Sequence, residues 1–318
     1  MKAKLTDQIP PGDWLYEIKL DGFRAIALIG GKKARLLSRN GKDLSGKFPQ
    51  VLYSIAALEV DEAIIDGEII ALDKKGRSSF QLLQAFELGE KRPPLFYYGF
   101  DLIRLNGTDF QKRSVEQRKA RLERLLKRPP GVIRYCNSMG TDGQNLLREV
   151  QKLGLEGLIG KRLGSRYQSG QRSGAWIKLK VQKEQEFVIG GYTDPAGSRE
   201  FFGAILVGFY EDNRLRFAGK VGTGFNANRL RTLRSKFDKL TTDRCPFVDL
   251  PISRSGQTPR IITPSELKRC HWVKPASVCE IKFAEWTRDG RLRQPVFLGL
   301  REDKHPKEVR REQAWQGA

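Results

Sequence analysis

Tyr16-Glu17-Ile18-Lys19-Leu20-Asp21-Gly22-Phe23-Arg24 follows Trp14-Leu15 and leads into the small and aliphatic run Ala25-Ile26-Ala27-Leu28-Ile29. Side chains on a strand point to opposite faces in turn. Glu17 and Lys19 then share one face, while Tyr16, Ile18 and Leu20 share the other, which can bury. Asp21-Gly22 is a turn signal. A lysine at a strand end beside a carboxylate is a candidate nucleophile. A free lysine amine has a pKa of about 10.4, so attack at neutral pH asks desolvation or nearby cations to lower that value. Arg24 extends the stretch to K-x-D-G-x-R. Downstream residues decide between a nucleophile and an ordinary hairpin lysine.

The 318 residues suit one large or two ordinary domains, and 39% hydrophobic residues are enough for real cores. Charge is the outlier: 58 Lys+Arg against 37 Asp+Glu leave a net +21. A chain this basic is expected to meet a polyanion. No apolar run approaches the roughly 20 residues of a membrane span. Met1-Lys2-Ala3-Lys4-Leu5-Thr6 lacks the apolar region of a signal peptide. A cytoplasmic protein with no membrane partner is expected. Cys136, Cys245, Cys270 and Cys279 lie far apart and, with His271 and His305, complete no zinc spacing, so four reduced thiols are expected.

Along the chain, residues 12–30 and 33–38 read as a hairpin turning at Gly30-Gly31. Residues 63–72 read as a buried strand interrupted by Asp66-Gly67-Glu68, and 95–103 as an aromatic-rich strand. Helices are predicted over 79–88, over 114–127 from the capping-box form Ser114-Val115-Glu116-Gln117, and over 142–153. Strands at 156–161 and 175–181 flank a Gly- and Arg-rich loop. Past the polar junction 181–185 the texture changes to short β runs at 187–192, 204–210, 215–221, 278–286 and 296–300, with one helix over 227–240. Short strands around one helix suit a small barrel of the OB-fold kind. Residues 306–318 read as a charged tail.

Five further blocks line up behind Lys19. Asp66 and Glu68 share a strand face and suit a hydroxyl, a cation or a metal. Phe100-Asp101 sets an aromatic beside an acid, and Glu156-Gly157-x-x-x-Lys161 adds another acid and base. Trp176, Lys178 and Lys180 share a face, where two lysines side by side suit a phosphate. Arg301-Glu302-Asp303-Lys304 comes last. Taken singly, each block fits an ordinary surface feature. In this order they make a nucleotidyl-transfer site.

The order K-x-D-G-x-R, S-R-N-G, D-G-E, F-D, E-G-x-x-x-K, K-x-K, R-x-D-K resembles the covalent nucleotidyltransferase superfamily. Within it the chain is similar to the ATP-dependent DNA ligase domain of bacterial ligase D, the non-homologous end-joining ligase. The stretches Pro10–Arg24, Glu285–Pro295 and Gly299–Lys304 carry the similarity, which covers nearly the whole chain. It implies an α+β chain: an ATP-grasp-like nucleotidyltransferase (adenylation) domain of antiparallel sheets with flanking helices over 1–183, then an OB-fold β-barrel domain with a C-terminal tail over 184–318. It also implies roles. Lys19 resembles the residue that takes AMP. Arg24 and Glu68 resemble ribose contacts, Glu17 an adenine-side group and Phe100 the adenine stacker, with Ile18, Lys161 and Trp176 in the same nucleotide pocket. Asp21 and Glu156 resemble the divalent-metal acids, with Asp303 grouped beside them. Lys178 and Lys180 resemble α-phosphate contacts, and Arg39 the arginine that meets the nick 5′-phosphate. Arg301, Asp303 and Lys304 resemble the motif that orients leaving pyrophosphate.

The implied activity is ATP-dependent sealing of nicked or broken double-stranded DNA in double-strand break repair, with ATP as AMP donor and Mg2+ or Mn2+. A monomer at the bacterial nucleoid, with a Ku-like end-binding partner, goes with it. RNA ligation or capping uses the same lysine chemistry and stays open, as does a non-catalytic basic DNA-binding module. No helical DNA-clamping domain, polymerase or phosphoesterase module is legible, so a minimal or excised catalytic core is expected, with the +21 charge substituting for the clamp. Phosphate-driven affinity is steeply salt-dependent. Binding to a nicked duplex is expected to weaken by roughly a thousandfold between about 50 and about 200 mM salt, the scale for about six phosphate contacts. A titration series by fluorescence anisotropy measures the slope, and a nearly salt-independent affinity contradicts it.

Overall fold

In the computed structural model of the protein, the strand that begins at Trp14 ends at Ile18, and another begins at Phe23. The structure describes all residues except 32, 182, 196–199, 252–261, 288 and 313–318. Residues 12–30 are therefore not one arm of a hairpin. The two strands belong to different sheets, and Lys19–Gly22 carries the chain between them. The physical cause is Gly22. A Cβ there would lie 2.1 Å from the Ile69 carbonyl oxygen, so only a glycine lets the backbone pass this close to the neighbouring strand. The Asp21 carboxylate accepts from the Phe80 N–H at 2.8 Å and secures the crossing to the start of the helix Phe80–Glu87.

Contacts divide the described chain into two compact units, Met1–Gln182 and Lys183–Glu312. In the first, the elements in chain order are β1 (Lys4–Leu5), β2 (Trp14–Ile18), β3 (Phe23–Gly30), β4 (Lys33–Ser38), α1 (Pro49–Ala56), β5 (Glu62–Ala71), α2 (Phe80–Glu87), β6 (Leu95–Leu105), β7 (Thr108–Asp109), α3 (Val115–Leu125), β8 (Ile133–Tyr135), α4 (Gly143–Lys152), β9 (Gly157–Arg162) and β10 (Trp176–Lys180). One sheet runs β1-β10-β9-β2, antiparallel except for the parallel β1–β10 pair. The other runs β4-β3-β5-β6-β7, antiparallel, with β8 parallel to β6. The β3–β4 turn falls at Gly30-Gly31, as expected.

The register in the second sheet sets the site. Arg24 lies opposite Glu68, and Ile26 opposite Asp66. Gly67 gives room to Tyr97, whose hydroxyl donates to the Ala25 and Ile65 carbonyls at 3.1 and 3.0 Å. Helix α3 opens on the Ser114/Gln117 capping box and buries Val115 and Leu122. It also buries Arg118 and Lys119. Arg118 donates through Nε and Nη2 to both oxygens of Asp101, at 2.6 and 3.0 Å, with both side chains fully buried. Helix α1, with Pro49 in its first turn and Val51 and Ile55 buried, was not expected from the sequence.

The second unit contains β11 (Glu184–Thr193), β12 (Ile205–Glu211), β13 (Arg214–Val221), α5 (Ala227–Asp238), β14 (Thr241–Thr242), α6 (Pro264–Leu267), β15 (Cys270–Lys282), β16 (Glu285–Trp286), β17 (Leu292–Arg293) and β18 (Val296–Leu300). Its main sheet runs β13-β12-β11-β15-β14, and β18 also pairs with β15. A bridge from Thr223 to Val296 brings the end of β13 to the start of β18, so the sheet curls upon itself as in an OB-fold. The expected strand over 278–286 divides differently: β15 starts at Cys270, and Glu285–Trp286 pairs with Leu292–Arg293 instead. The tail expected over 306–318 starts with a short 3-10 turn at Pro306–Glu308, and 313–318 lie outside the described residues.

The Arg118–Asp101 pair generates a stability test. Removing one partner of a buried ion pair strands the other charge. Arg118→Met is expected to destabilise the first unit by about 3–5 kcal/mol in denaturant titration, and Arg118→Met/Asp101→Leu to recover part of that loss. A loss under about 1 kcal/mol would mean that solvent reaches Asp101.

Candidate active site

The sheet change at Lys19 leaves its backbone on one sheet and its side chain at the wall of a cavity. The Lys19 N–H still donates to the Gly157 carbonyl at 2.9 Å, next to the β2–β9 ladder. Its Nζ is ion-paired with Glu156 Oε1. Burial works against the charged ammonium, but the Glu156 carboxylate outweighs it, and the pKa of Lys19 is held above its ordinary value although Lys180 opposes this. The sequence-based expectation was a lowered pKa. The physical reason for the difference is the pairing with Glu156.

The cavity has a volume of about 140 Å³ and is lined by eight of the expected residues, Glu17, Ile18, Lys19, Arg24, Glu68, Phe100, Lys161 and Trp176, together with Ala3, Leu20, Cys136 and Ile159. Each is delivered by the end or the inner face of a strand. Arg24 on β3 reaches Asp66 on β5 through Nε at 2.9 Å and Nη2 at 2.5 Å. The Tyr167 hydroxyl donates to the same carboxylate at 2.8 Å. Burial opposes the guanidinium charge, yet the Asp66 carboxylate keeps the Arg24 pKa above its usual value. Asp66 thus holds the arginine, and Glu68, opposite it in register, is left at the cavity wall.

Phe100 and Trp176 meet edge-on, with centroids 5.9 Å apart. Lys161 Nζ lies 5.0 Å from the Phe100 ring and 4.7 Å from Trp176. Lys161 is fully buried and donates to Glu17 at 3.0 Å and to the Phe100 carbonyl at 2.6 Å. Glu17 is buried too, so the alternation expected through β2 fails there: its partners are ammonium groups rather than water. Burial, aided by Glu17, pushes the Cys136 thiol up to about 12, which leaves it an unreactive wall.

Asp21 and Glu156 each present a carboxylate oxygen within 4.8 Å of the other. Glu156 Oε2 is buried and, among the described residues, has no hydrogen-bond partner. Two neighbouring oxygen donors, one with an unused lone pair, fit a hard divalent cation. Lys178 and Lys180 follow Trp176 along β10, half-buried and outside the cavity lining; Arg39 lies just beyond β4, also outside it. In the second unit, Arg301 donates to both oxygens of Asp303 at 3.0 Å and to Glu280 at 2.9 Å. Lys304 pairs with Glu186 at 2.8 Å. Asp303, expected among the metal acids, thus has both oxygens on Arg301.

A lysine at the cavity wall, cationic and aromatic residues around it and two neighbouring carboxylates beside it are what the sequence reading expected of a nucleotidyl-transfer pocket. The sequence profile described as ATP dependent DNA ligase domain matches residues 1–180. The chain belongs to the ATP-dependent DNA ligase family. A second ligase profile, ATP dependent DNA ligase C terminal region, matches residues 198–304. The ligase chain is 44% identical to the multifunctional non-homologous end joining protein LigD of Pseudomonas aeruginosa, over 96% of this chain and 36% of that protein. It is 33% identical to the protein of the same name from Mycolicibacterium smegmatis, over 93% of this chain and 37% of that protein. It therefore spans about a third of the length of these curated relatives. A solved structure of mycobacterial DNA ligase D complexed with ATP and MES matches with a TM-score of 0.66 and 32% identity, over 98% of each chain.

Reading the sequence missed Lys119, Arg118 and Tyr167. A signal for the first two was present: Val115, Arg118/Lys119, Leu122 and Leu126 follow helical spacing, which turns both cations inward. Tyr167 sits in the loop between β9 and β10, where no periodicity marks it.

Because Glu156 holds Lys19 protonated, the amine is expected to react slowly with an acylating reagent at about pH 8. Glu156→Gln removes the carboxylate, lowers the Lys19 pKa and is expected to speed its acylation severalfold or more. Peptide mass spectrometry over a time course reads the rate. An unchanged rate would mean that Glu156 does not control the amine.

Proposed function

We propose that the chain seals nicked or broken double-stranded DNA by three phosphoryl transfers. The observation that carries the reading is Lys19, placed on the wall of the cavity and hydrogen-bonded to Glu156. In the first transfer, Lys19 gives up a proton, for which Glu156 Oε1 is the adjacent acceptor, and its Nζ attacks the α-phosphorus of ATP. A P–N bond forms, the P–O bond to the β-phosphate breaks, and pyrophosphate leaves. In the second, AMP passes to a DNA 5′-phosphate and frees the lysine. In the third, a 3′-hydroxyl attacks that phosphate and expels AMP. Asp21 and Glu156 would hold a divalent cation, Mg2+ or Mn2+, which supplies charge neutralisation at the phosphates.

Residues 1–183 are read as the adenylation domain and 184–318 as the OB-fold domain with its tail. Within the first, Glu17, Ile18, Phe100, Lys161 and Trp176 are assigned to the adenine, Arg24 and Glu68 to the ribose, and Lys178 and Lys180 to the α-phosphate. Arg39 is assigned to the nick 5′-phosphate, and Arg301 and Lys304, aligned by Asp303, to leaving pyrophosphate. The names of the relatives support non-homologous end joining as the setting. A Ku-like end-binding protein as partner, and a monomer acting at the nucleoid in the cytoplasm, belong to the same reading. Among the described residues no helix is long and apolar enough to cross a membrane.

Intact-mass spectrometry after incubation with ATP and magnesium is expected to show an AMP adduct that Lys19→Ala abolishes, along with nick sealing. An adduct that persists in Lys19→Ala overturns the assignment. GTP in place of ATP, and a nicked RNA strand in place of DNA, separate DNA ligation from capping and RNA ligation.

A further inference from the structure

The first unit holds another hollow, which the reaction at Lys19 does not use. It is a groove of about 740 Å³ between the C-terminal half of α3 and the strands β6 and β8. Its walls carry Tyr98 and Tyr135, both half-buried, and the cations Arg124, Lys127 and Arg134 against one carboxylate, Glu123. Arg124 and Lys127 are exposed, and among the described residues neither has an ion-pair partner. Arg134 lies opposite Tyr98 in the β6–β8 register. It donates through Nη1 to the Gly131 and Ile133 carbonyls at 2.9 and 2.6 Å, and its guanidinium carbon lies 4.9 Å from the centroid of Phe96. Tyr98 in turn meets Phe96 edge-on at 6.4 Å. The Lys119 ammonium lies over the Tyr135 ring at 4.3 Å. Both rings and one cation are thus fixed in place, while two cations stand free at the rim.

Burial raises the pKa of both phenols, so the rings are neutral at pH 7 and do not repel an anion. A surface built only for a duplex backbone needs cations alone, because a duplex keeps its base faces stacked on one another. A single strand offers phosphates and open base faces together. Proteins that hold one combine a cationic groove with aromatic side chains. An acidic peptide would satisfy the cations and leave the rings without a partner. The groove also lies beside the cavity at Lys19: Tyr98 is two residues from Phe100, and Asn137 adjoins Cys136, both of them cavity residues.

We propose that this groove binds single-stranded DNA, the overhang of a broken end, with bases stacked on Tyr98 and Tyr135 and phosphates held by Arg124 and Lys127. Arg134, tied to carbonyls of its own strand and turn, forms the wall between the two rings and Phe96. The site goes beyond the sealing reaction and rests on none of its steps.

The test is fluorescence anisotropy of the full chain, without ATP, with a labelled oligothymidylate, an abasic strand of the same length and a blunt duplex. Wild type is expected to bind the oligothymidylate about fivefold or more tighter than the abasic strand, the low end of what one base–aromatic stack contributes. Tyr98→Leu is expected to remove most of that difference and to leave the abasic strand and the duplex unchanged. Arg124→Gln/Lys127→Gln is expected to lower the slope of log K against log salt for the oligothymidylate by about 1.4, at about 0.7 for each of two phosphates on a single strand. Equal binding of the two strands by wild type, equal losses for single strand and duplex in Tyr98→Leu, or an unchanged salt slope overturns the proposal. Polyglutamate that displaces the oligothymidylate as well as an unlabelled copy does assigns the groove to an acidic peptide and overturns it too. Tighter binding of an RNA strand of matched sequence overturns the assignment to DNA. If Tyr98→Leu does not fold, the abasic comparison in wild type and the variant at exposed Arg124 and Lys127 decide it. A missing Lys19 adduct with oligothymidylate binding intact overturns only the sealing reaction, and the reverse result overturns only the groove.

Discussion

Gly22 brings its backbone so near the Ile69 carbonyl that any side chain would overlap it, and the rest of the first unit is built around that approach. The contact lets the chain leave the β1-β10-β9-β2 sheet after Ile18 and enter the β4-β3-β5-β6-β7 sheet at Phe23. Four residues make the passage, and Lys19 is the first of them. One sheet then contributes Glu17, Lys161 and Trp176 to the cavity, and the other contributes Arg24, Glu68 and Phe100. Lys19, between two stiff sheets, is held by two hydrogen-bonded ladders, a rigidity that would suit the proposed alignment of its amine with a phosphorus.

Charge buried near this junction is arranged in small closed groups. Arg24 is gripped by Asp66, Arg118 by Asp101, and Glu17 by Lys161 and Lys119. Removing ions from water costs several kcal/mol each, and pairing offsets the cost without making such groups an obvious source of stability. Their use is geometric. A bidentate guanidinium–carboxylate pair fixes the plane of Arg24 beside Phe100 and Trp176, with centroid distances of 5.7 and 5.6 Å. The second unit repeats the device: burial opposes the charge of Arg301, and Asp303 and Glu280 hold it nonetheless. Burial likewise works against the Asp303 carboxylate, and Arg301 and Lys304 keep its pKa below the usual range.

Lys19 and Glu156 show what this arrangement means for reactivity. The ion pair holds Lys19 as an ammonium, which must pass on a proton before the amine can attack, and Glu156 Oε1 is the adjacent acceptor. In the function proposed above, cation binding and deprotonation of Lys19 would draw on the same carboxylate.

Local features of the chain were legible from the residues alone. The Gly30-Gly31 turn, the Ser114/Gln117 capping box and the acid pair on β5 each depend on neighbours a few positions apart, and short-range sterics and hydrogen bonds decide them. The order of the motifs also carried the family and, with it, the residues to be found at the cavity. What the tertiary structure decided depends on partners far apart in the chain. Lys19 meets Glu156 across 137 positions, Lys161 meets Glu17 across 144, and Tyr167 meets Asp66 across 101. No periodicity encodes such pairings. They explain why Lys19 has a raised rather than a lowered pKa, why Glu17 is buried where alternation exposes it, and why Asp66 rather than Glu68 holds Arg24. The break after Ile18 belongs with them, because the steric demand that makes it comes from Ile69, a residue of another strand.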